Sequence, residues 1–351
     1  MGLITFTNKG LYCEAGDFYI DPWAGVERAV ITHAHSDHSR RGSQHYLAHR
    51  LSEPMMRARL GQDISLQTLE YGEPLKMGSA TISLHPAGHI VGSAQIRIEA
   101  GGEVWVASGD YKTTPDGVST DFEPVRCHTF ITESTFGLPI YKWKPQPEIM
   151  QDIHDWICAN RALGRNSVLT AYSLGKAQRL IRALSDMGHR IYVHGAVYNM
   201  QEAVRRAQPQ EPEVTWLRPT TPKDEVKQGV IICPGSAIDS PWIRRWAPFA
   251  QGSCSGWMQV RGAQRRRNAD AGFVLSDHAD WPGLLEAVEA TGAECVYATH
   301  GFSATLARYL SEEKGLKTGV VKTRFGEEEE NDEEAQDEQS AETRYDAEAD
   351  A

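Results

Sequence analysis

Seven apolar, β-rich runs along this chain each end in an imidazole or a carboxylate, and that repetition constrains the fold more than any other property. The densest case is His33-Ala34-His35-Ser36-Asp37-His38, directly after Ala29-Val30-Ile31-Thr32. In a helix or strand those side chains would point to different faces, whereas a tight turn at a strand end aims several of them at one or two ions. The pattern recurs at His89 after Thr81–Gly88, at Asp110 after Glu103–Gly109 and at His300 after Cys295–Thr299. It recurs again at Asp21 after Phe18–Ile20, at Glu133 after Thr129–Thr132 and at His278 after Phe273–Asp277. Strands of one sheet deliver their ends to a common rim, so groups distant in sequence can meet without long loops. Imidazole with carboxylate suits zinc or another first-row divalent ion.

From about residue 145 the pattern changes. Glu148–Leu163 and Gly175–Met187 read as helices, Asn166–Tyr172 and Arg190–His194 as strands, Asn199–Ala207 as a short helix, and Gly229–Cys233 as a strand running into Pro234-Gly235-Ser236. In the second helix Leu180, Ile181, Leu184 and Met187 share one face, with Arg179, Arg182 and Asp186 elsewhere. Alternating strand and helix implies a small parallel sheet. Because His278 and His300 come after this block, an α/β unit is expected inside a metal-binding domain, with the active site in the cleft between them. The expected boundaries are 1–142 and 269–325 for the metal-binding domain, 143–268 for the insertion and 326–351 for an acidic tail.

With 351 residues, 40% of them hydrophobic, the chain can bury a large core. No stretch approaches the roughly 18 apolar residues that span a bilayer, and the start lacks the basic and apolar regions of a signal peptide, so no membrane partner and a cytoplasmic location are expected. The six scattered cysteines, with no Cys-x-x-Cys pair, read as free buried thiols of a reducing compartment. The net charge of −11 is concentrated: Glu327 to Ala351 holds thirteen Asp and Glu against Arg344, leaving +1 on residues 1–326. Such a segment cannot bury enough surface to fold and is expected to be disordered, as a solubilising tail or a polyanion mimic. Basic residues interleaved with tryptophan suit single-stranded nucleic acid: Arg261, Arg265, Arg266 and Arg267; Trp242, Arg244, Arg245 and Trp246; and Lys142, Trp143 and Lys144.

His33-x-His35-x-Asp37-His38, with Asp21 before it and His89 and Asp110 after, resembles the metallo-β-lactamase fold. The insertion plus Glu133, His278 and His300 resembles its nuclease branch, the β-CASP group. The resemblance covers nearly all of residues 1–325 and implies an α/β architecture, an αββα sandwich with an inserted β-CASP domain. It also implies two divalent ions, zinc ahead of manganese: one held by His33, His35 and His89, the other by Asp37, His38 and His300, with Asp110 bridging. Asp21 would orient a ligand, and Glu133 with His278 would handle the proton of the leaving group; Asp280 is a competing carboxylate partner for His278. Ser173, Lys176 and Ser236 stand at strand-to-helix junctions, where backbone N–H groups favour anions, and with Arg265 and Arg266 are candidates for substrate phosphate.

The phrases Asp21-Pro22-Trp23-Ala24-Gly25-Val26 and His33 through Gly42 are similar to those of the bacterial DNA-ligase-associated exonucleases. That implies a DNA exonuclease of repair, partnered with an ATP-dependent ligase and a helicase. A histidine at His300 is more typical of RNA-cutting members, which keeps a ribonuclease of RNA ends as the alternative. A non-catalytic scaffold would have lost ligands, and here every one is present.

Overall fold

Short, largely apolar stretches punctuated by glycine build the first part of the chain. The computed structural model describes residues 2–260 and 269–321. Strands β1 (Thr5–Thr7), β2 (Gly10–Cys13), β3 (Phe18–Ile20), β4 (Arg28–Val30), β5 (His45–His49) and β6 (Leu66–Leu69) form one sheet in that order. It is antiparallel from β1 to β3 and parallel from β3 to β6. Helix α1 (Glu53–Leu60) leads from β5 to β6. A second sheet begins as a meander, β7 (Leu75–Met77), β8 (Ala80–Pro86), β9 (Ala94–Ala100) and β10 (Glu103–Ala107), and continues with β11 (Thr129–Glu133) parallel to β10.

Period-two alternation explains how the sheets pack. Phe18, Ile20, Val30 and Leu47 of the first sheet meet Ile82, Leu84, Ile96, Ile98 and Ile131 of the second in one core. On β10 and β11 the intervening residues Val106 and Phe130 turn to the opposite face.

The next elements are α2 (Gln146–Ala162), β12 (Asn166–Thr170), α3 (Lys176–Asp186), β13 (Ile191–Val193), α4 (Gly195–Ala207), β14 (Thr215–Trp216), β15 (Val230–Cys233), α5 (Pro241–Arg244), β16 (Phe249–Cys254) and β17 (Ala271–Phe273). Their strands form one all-parallel sheet in the order β14-β13-β15-β12-β16-β17. The central strands are buried end to end, as expected where helices cover both faces. Two expectations change here. Arg179, expected away from the apolar face of α3, is buried, because its guanidinium donates to the Ser276 carbonyl and to Gln146 Oε1. The run Phe273–Asp277 is not a strand: β17 ends at Phe273 and pairs within the inserted sheet. The compact units are accordingly Trp143–Asp277 on one side, and Met1–Lys142 with the described residues from His278 on the other.

After His278 come α6 (Trp281–Thr291), β18 (Cys295–Thr299), α7 (Ser303–Lys314) and β19 (Lys317–Val320). The second sheet then reads β19-β18-β11-β10-β9-β8-β7. Leu284, Val288, Leu306 and Leu310 of the two helices cover its outer face against Val106, Phe130 and Val296. Asp280 caps α6, accepting the Gly283 N–H at 3.0 Å. All six cysteines are free, but Cys158, expected buried, is exposed on α2. Among the described residues no helix is long and apolar enough to cross a membrane.

His49 gives this fold a pH dependence. Its buried ring lies flat on Tyr71, centroids 3.5 Å apart at 10°, and its Nε2 has no hydrogen-bond partner among the described residues. Burial pushes its pKa down to about 4, more than Glu70 at 3.9 Å offsets. An unfolded imidazole titrates near ~6.5, so between these values the unfolded chain binds a proton that the folded chain refuses. Stability from this group is complete above the higher value and declines as pH falls towards the lower. His49→Gln is expected to flatten the acid side of a melting-temperature profile across this window; an unchanged slope would remove His49 as its cause.

Candidate metal centre

The turn after β4 and the ends of β8 and β10 bring the first cluster together. His33 Nε2 and His89 Nε2 each lie 3.1 Å from His35 Nδ1. Asp110 Oδ2 is 3.6 Å from His33 Nε2 and 3.7 Å from His89 Nε2, so four ligand atoms face one point. A tetrahedral ion with bonds of about 2.0–2.1 Å has ligand atoms roughly 3.3 Å apart, and these four separations, 3.1–3.7 Å, bracket that value. His33, Asp37 and His38 make a second grouping, with Asp37 Oδ2 3.3 Å and Asp110 Oδ2 3.5 Å from His38 Nε2. Asp110 thus touches both.

The electrostatics fit cations. His38 Nε2 is buried, with carboxylate oxygens of Asp37 and Asp110 at 3.3 and 3.5 Å. Burial opposes charge on His38, yet Asp37, Asp110 and Asp21 hold its pKa well above the ordinary imidazole value. Burial and the neighbouring imidazoles drive His33 the other way, well below it. Asp37 and Asp110 stay below the usual carboxylate range although burial opposes this, chiefly because of His38. A pocket that keeps carboxylates ionised and one imidazole neutral is a donor set for divalent metal.

Outer contacts fix these groups. Asp21 Oδ2 is 2.7 Å from His38 Nδ1, and Asp21 accepts from Thr32 N at 2.8 Å and Thr32 Oγ1 at 2.6 Å. Ser93 Oγ accepts the N–H groups of His89 and Ile90 at 3.1 and 3.2 Å, shaping the turn that carries His89. Thr32 and Ser93 were not singled out by sequence reasoning; serine or threonine beside a ligand-bearing turn is too common a signal. Gly109, at φ +57°, precedes Asp110, and a Cβ there would come within 2.6 Å of Thr32. Asp21 and His300 are among the few non-glycine residues with positive φ, at 42° and 54°. Such strain persists where the surroundings over-determine it. His300 lies in a cavity lined by Asp37, His38 and Asp21, its ring 5.3 Å from that of His38. Burial lowers its pKa, which suits a ligand nitrogen.

His278 Nδ1 lies 3.1 and 3.0 Å from the two Glu133 oxygens, and Tyr111 N donates to Glu133 Oε1 at 2.7 Å. Glu133 is fully buried, and the His278 ring sits 4.7 Å from that of His89. Asp280, the rival partner, caps α6.

The candidates for substrate phosphate among the described residues belong to the inserted unit. Lys176 is buried at the start of α3 with Nζ 3.2 Å from Asp277 Oδ1, so its charge is met within the inserted unit. The Ser173 carbonyl accepts from Gln178 Nε2 at 3.2 Å, and Ser236 lies in the turn Gly235–Asp239 after β15. Trp246 is core and Trp242 is half-buried. Arg261, Arg265, Arg266 and Arg267, and the acidic segment 326–351, lie outside the described residues.

No family model matches the chain. A probable DNA ligase of Opitutus terrae is 30% identical over 317 residues, 90% of this chain and 30% of that protein. A ribonuclease of Thermus thermophilus is 27% identical over 127 residues, 36% of this chain and 29% of the relative. Integrator complex subunit 11 of Gallus gallus is 28% identical over 137 residues, 38% of this chain and 21% of the relative. The chain thus spans less than a third of each of these relatives. A crystal structure of a protein of unknown function from Enterococcus faecalis superposes with a TM-score of 0.58 at 12% identity, covering 85% of this chain and 80% of the other. Paired sheets flanked by helices, with His-x-His-x-Asp-His after a strand, define the metallo-β-lactamase fold. Within it, the parallel α/β insertion and the relatives put this chain in the β-CASP group.

Proposed function

We propose that the chain hydrolyses phosphodiester bonds of nucleic acid with two divalent ions, zinc ahead of manganese. One observation carries this reading: two ligand groupings meet at His33, with Asp110 Oδ2 3.6 Å from His33 Nε2 and 3.5 Å from His38 Nε2, in the same unit as an imidazole–carboxylate pair, Glu133 with His278. His33, His35, His89 and Asp110 would hold one ion, and Asp37, His38, His300 and Asp110 the other. Such ions, when bound, acidify water towards neutral pH and neutralise charge building on phosphate. The chain's own groups do the rest. Asp21 fixes the His38 ring through Nδ1, leaving Nε2 for the ion. Glu133, paired with His278 Nδ1, turns Nε2 outward and favours the cationic ring, so His278 can protonate the departing sugar oxygen.

The substrate reading is a DNA exonuclease of repair, acting in the cytoplasm beside an ATP-dependent ligase and a helicase. It is supported by the match of 90% of this chain to a probable DNA ligase. A second reading, a ribonuclease that processes RNA ends, is favoured by the likeness to the Thermus thermophilus ribonuclease, matched over 36% of this chain. Digestion of matched end-labelled DNA and RNA strands, with and without a 5′ phosphate, by the parent and Asp37→Ala separates them. DNA is expected to be shortened from an end and Asp37→Ala to be inactive. Equal or faster RNA cleavage overturns the DNA assignment, and undiminished activity in the variant overturns the two-ion mechanism.

A further inference from the structure

Outside the metal centre, the open edge of the inserted sheet carries a column of flat groups. Strand β14 is only two residues long and pairs on one side, with β13. Its Trp216 stacks on Tyr198 of α4, centroids 5.3 Å apart at 22°. On Trp216 lies the Arg218 guanidinium, 4.4 Å from the ring centroid. Tyr198 and Trp216 are half-buried, while Arg218 is exposed and makes no ion pair among the described residues. Glu202, on α4, and Glu213, shortly before β14, both pair with Arg205. The next residue inward, Leu217, accepts the Trp242 Nε1–H at 3.1 Å, and the His194 ring meets Trp242 edge-on at 4.7 Å.

We infer that the Tyr198–Trp216–Arg218 column is a stacking platform for a base of single-stranded nucleic acid. This rests on the nucleic-acid reading above and adds a contact surface to it. A guanidinium held flat by an indole presents a planar cationic face that extends the column by one base and draws the adjacent phosphate. A strand two residues long offers too little backbone to add a peptide strand, so the arrangement favours a base over a protein partner.

The test uses the full chain in the Asp37→Ala background, so that strands survive. Anisotropy is measured with a labelled single strand and with a matched abasic sugar–phosphate strand. The parent is expected to prefer the strand with bases. Trp216→Ala and Arg218→Ala should weaken binding of that strand by roughly fivefold or more, with little effect on the abasic one. Arg218→Lys should behave like Arg218→Ala, because an ammonium keeps the charge and loses the plane. Arg218 is exposed, so loss of fold does not confuse its variants. An unchanged base preference in Arg218→Ala, or parental binding in Arg218→Lys, overturns the platform. Failure of the parent to bind either strand overturns the nucleic-acid reading and the platform with it.

Discussion

Asp110→Asn is expected to lower phosphodiester hydrolysis by on the order of a thousandfold or more and to reduce metal content together with it. The reason is positional. Its Oδ2 lies 3.5–3.7 Å from the Nε2 atoms of His33, His38 and His89, so one carboxylate serves both groupings. Replacing His35, His89 or His38 leaves one grouping whole, whereas losing this charge weakens both. Asn keeps the size and shape of the side chain, so the fold should survive. Metal analysis of the purified variant beside a rate measurement decides the matter. Parental metal content with parental rate would remove Asp110 from the centre, and parental metal with a lost rate would make it a catalytic group that binds no ion.

Glu133→Gln should separate proton delivery from metal binding. Glu133, His278 and Asp110 also lie within ligand distance of one another, so a metal-ligand role and a proton-handling role compete for this pair. If Glu133 orients His278 and keeps it cationic, a natural phosphodiester should lose about 10²–10⁴-fold in kcat, the usual range for a positioned general acid. A p-nitrophenyl phosphodiester, whose leaving group needs no proton, should lose far less, and metal content should not change. Gln can still accept the Tyr111 N–H, so local packing is kept. Equal losses on both substrates together with lost metal would make Glu133 a ligand.

The ligand turn was legible because chemistry and geometry coincide there: no other use of three imidazoles and a carboxylate after a β-branched run is common. The inserted elements were legible to within a few residues, since α3 has a helical apolar face and β12 and β15 are short, wholly apolar-facing runs bounded by turn residues. The helix α4 starts at Gly195, earlier than the expected Asn199, because the His194 ring caps it by accepting the Ala196 N–H. What the sequence concealed was partnership. Phe273–Asp277 has strand composition but spends itself joining two units, and Arg179 has a surface composition but a buried carbonyl to bond. Trp216 and Arg218 were passed over in favour of Trp242 and Trp246, because only pairing with β13 reveals that β14 is an edge.

Strands β11 and β18 are neighbours in the second sheet, with Glu133 opposite Thr299, although the whole insertion separates them along the chain. Synthesis therefore delivers the His33 turn early and His278 and His300 late. A nascent chain still emerging through the insertion holds part of a metal pocket but lacks the imidazole that pairs with Glu133. On the nuclease reading, the order of translation itself keeps the polypeptide harmless to nearby nucleic acid until the last strands have closed the sheet.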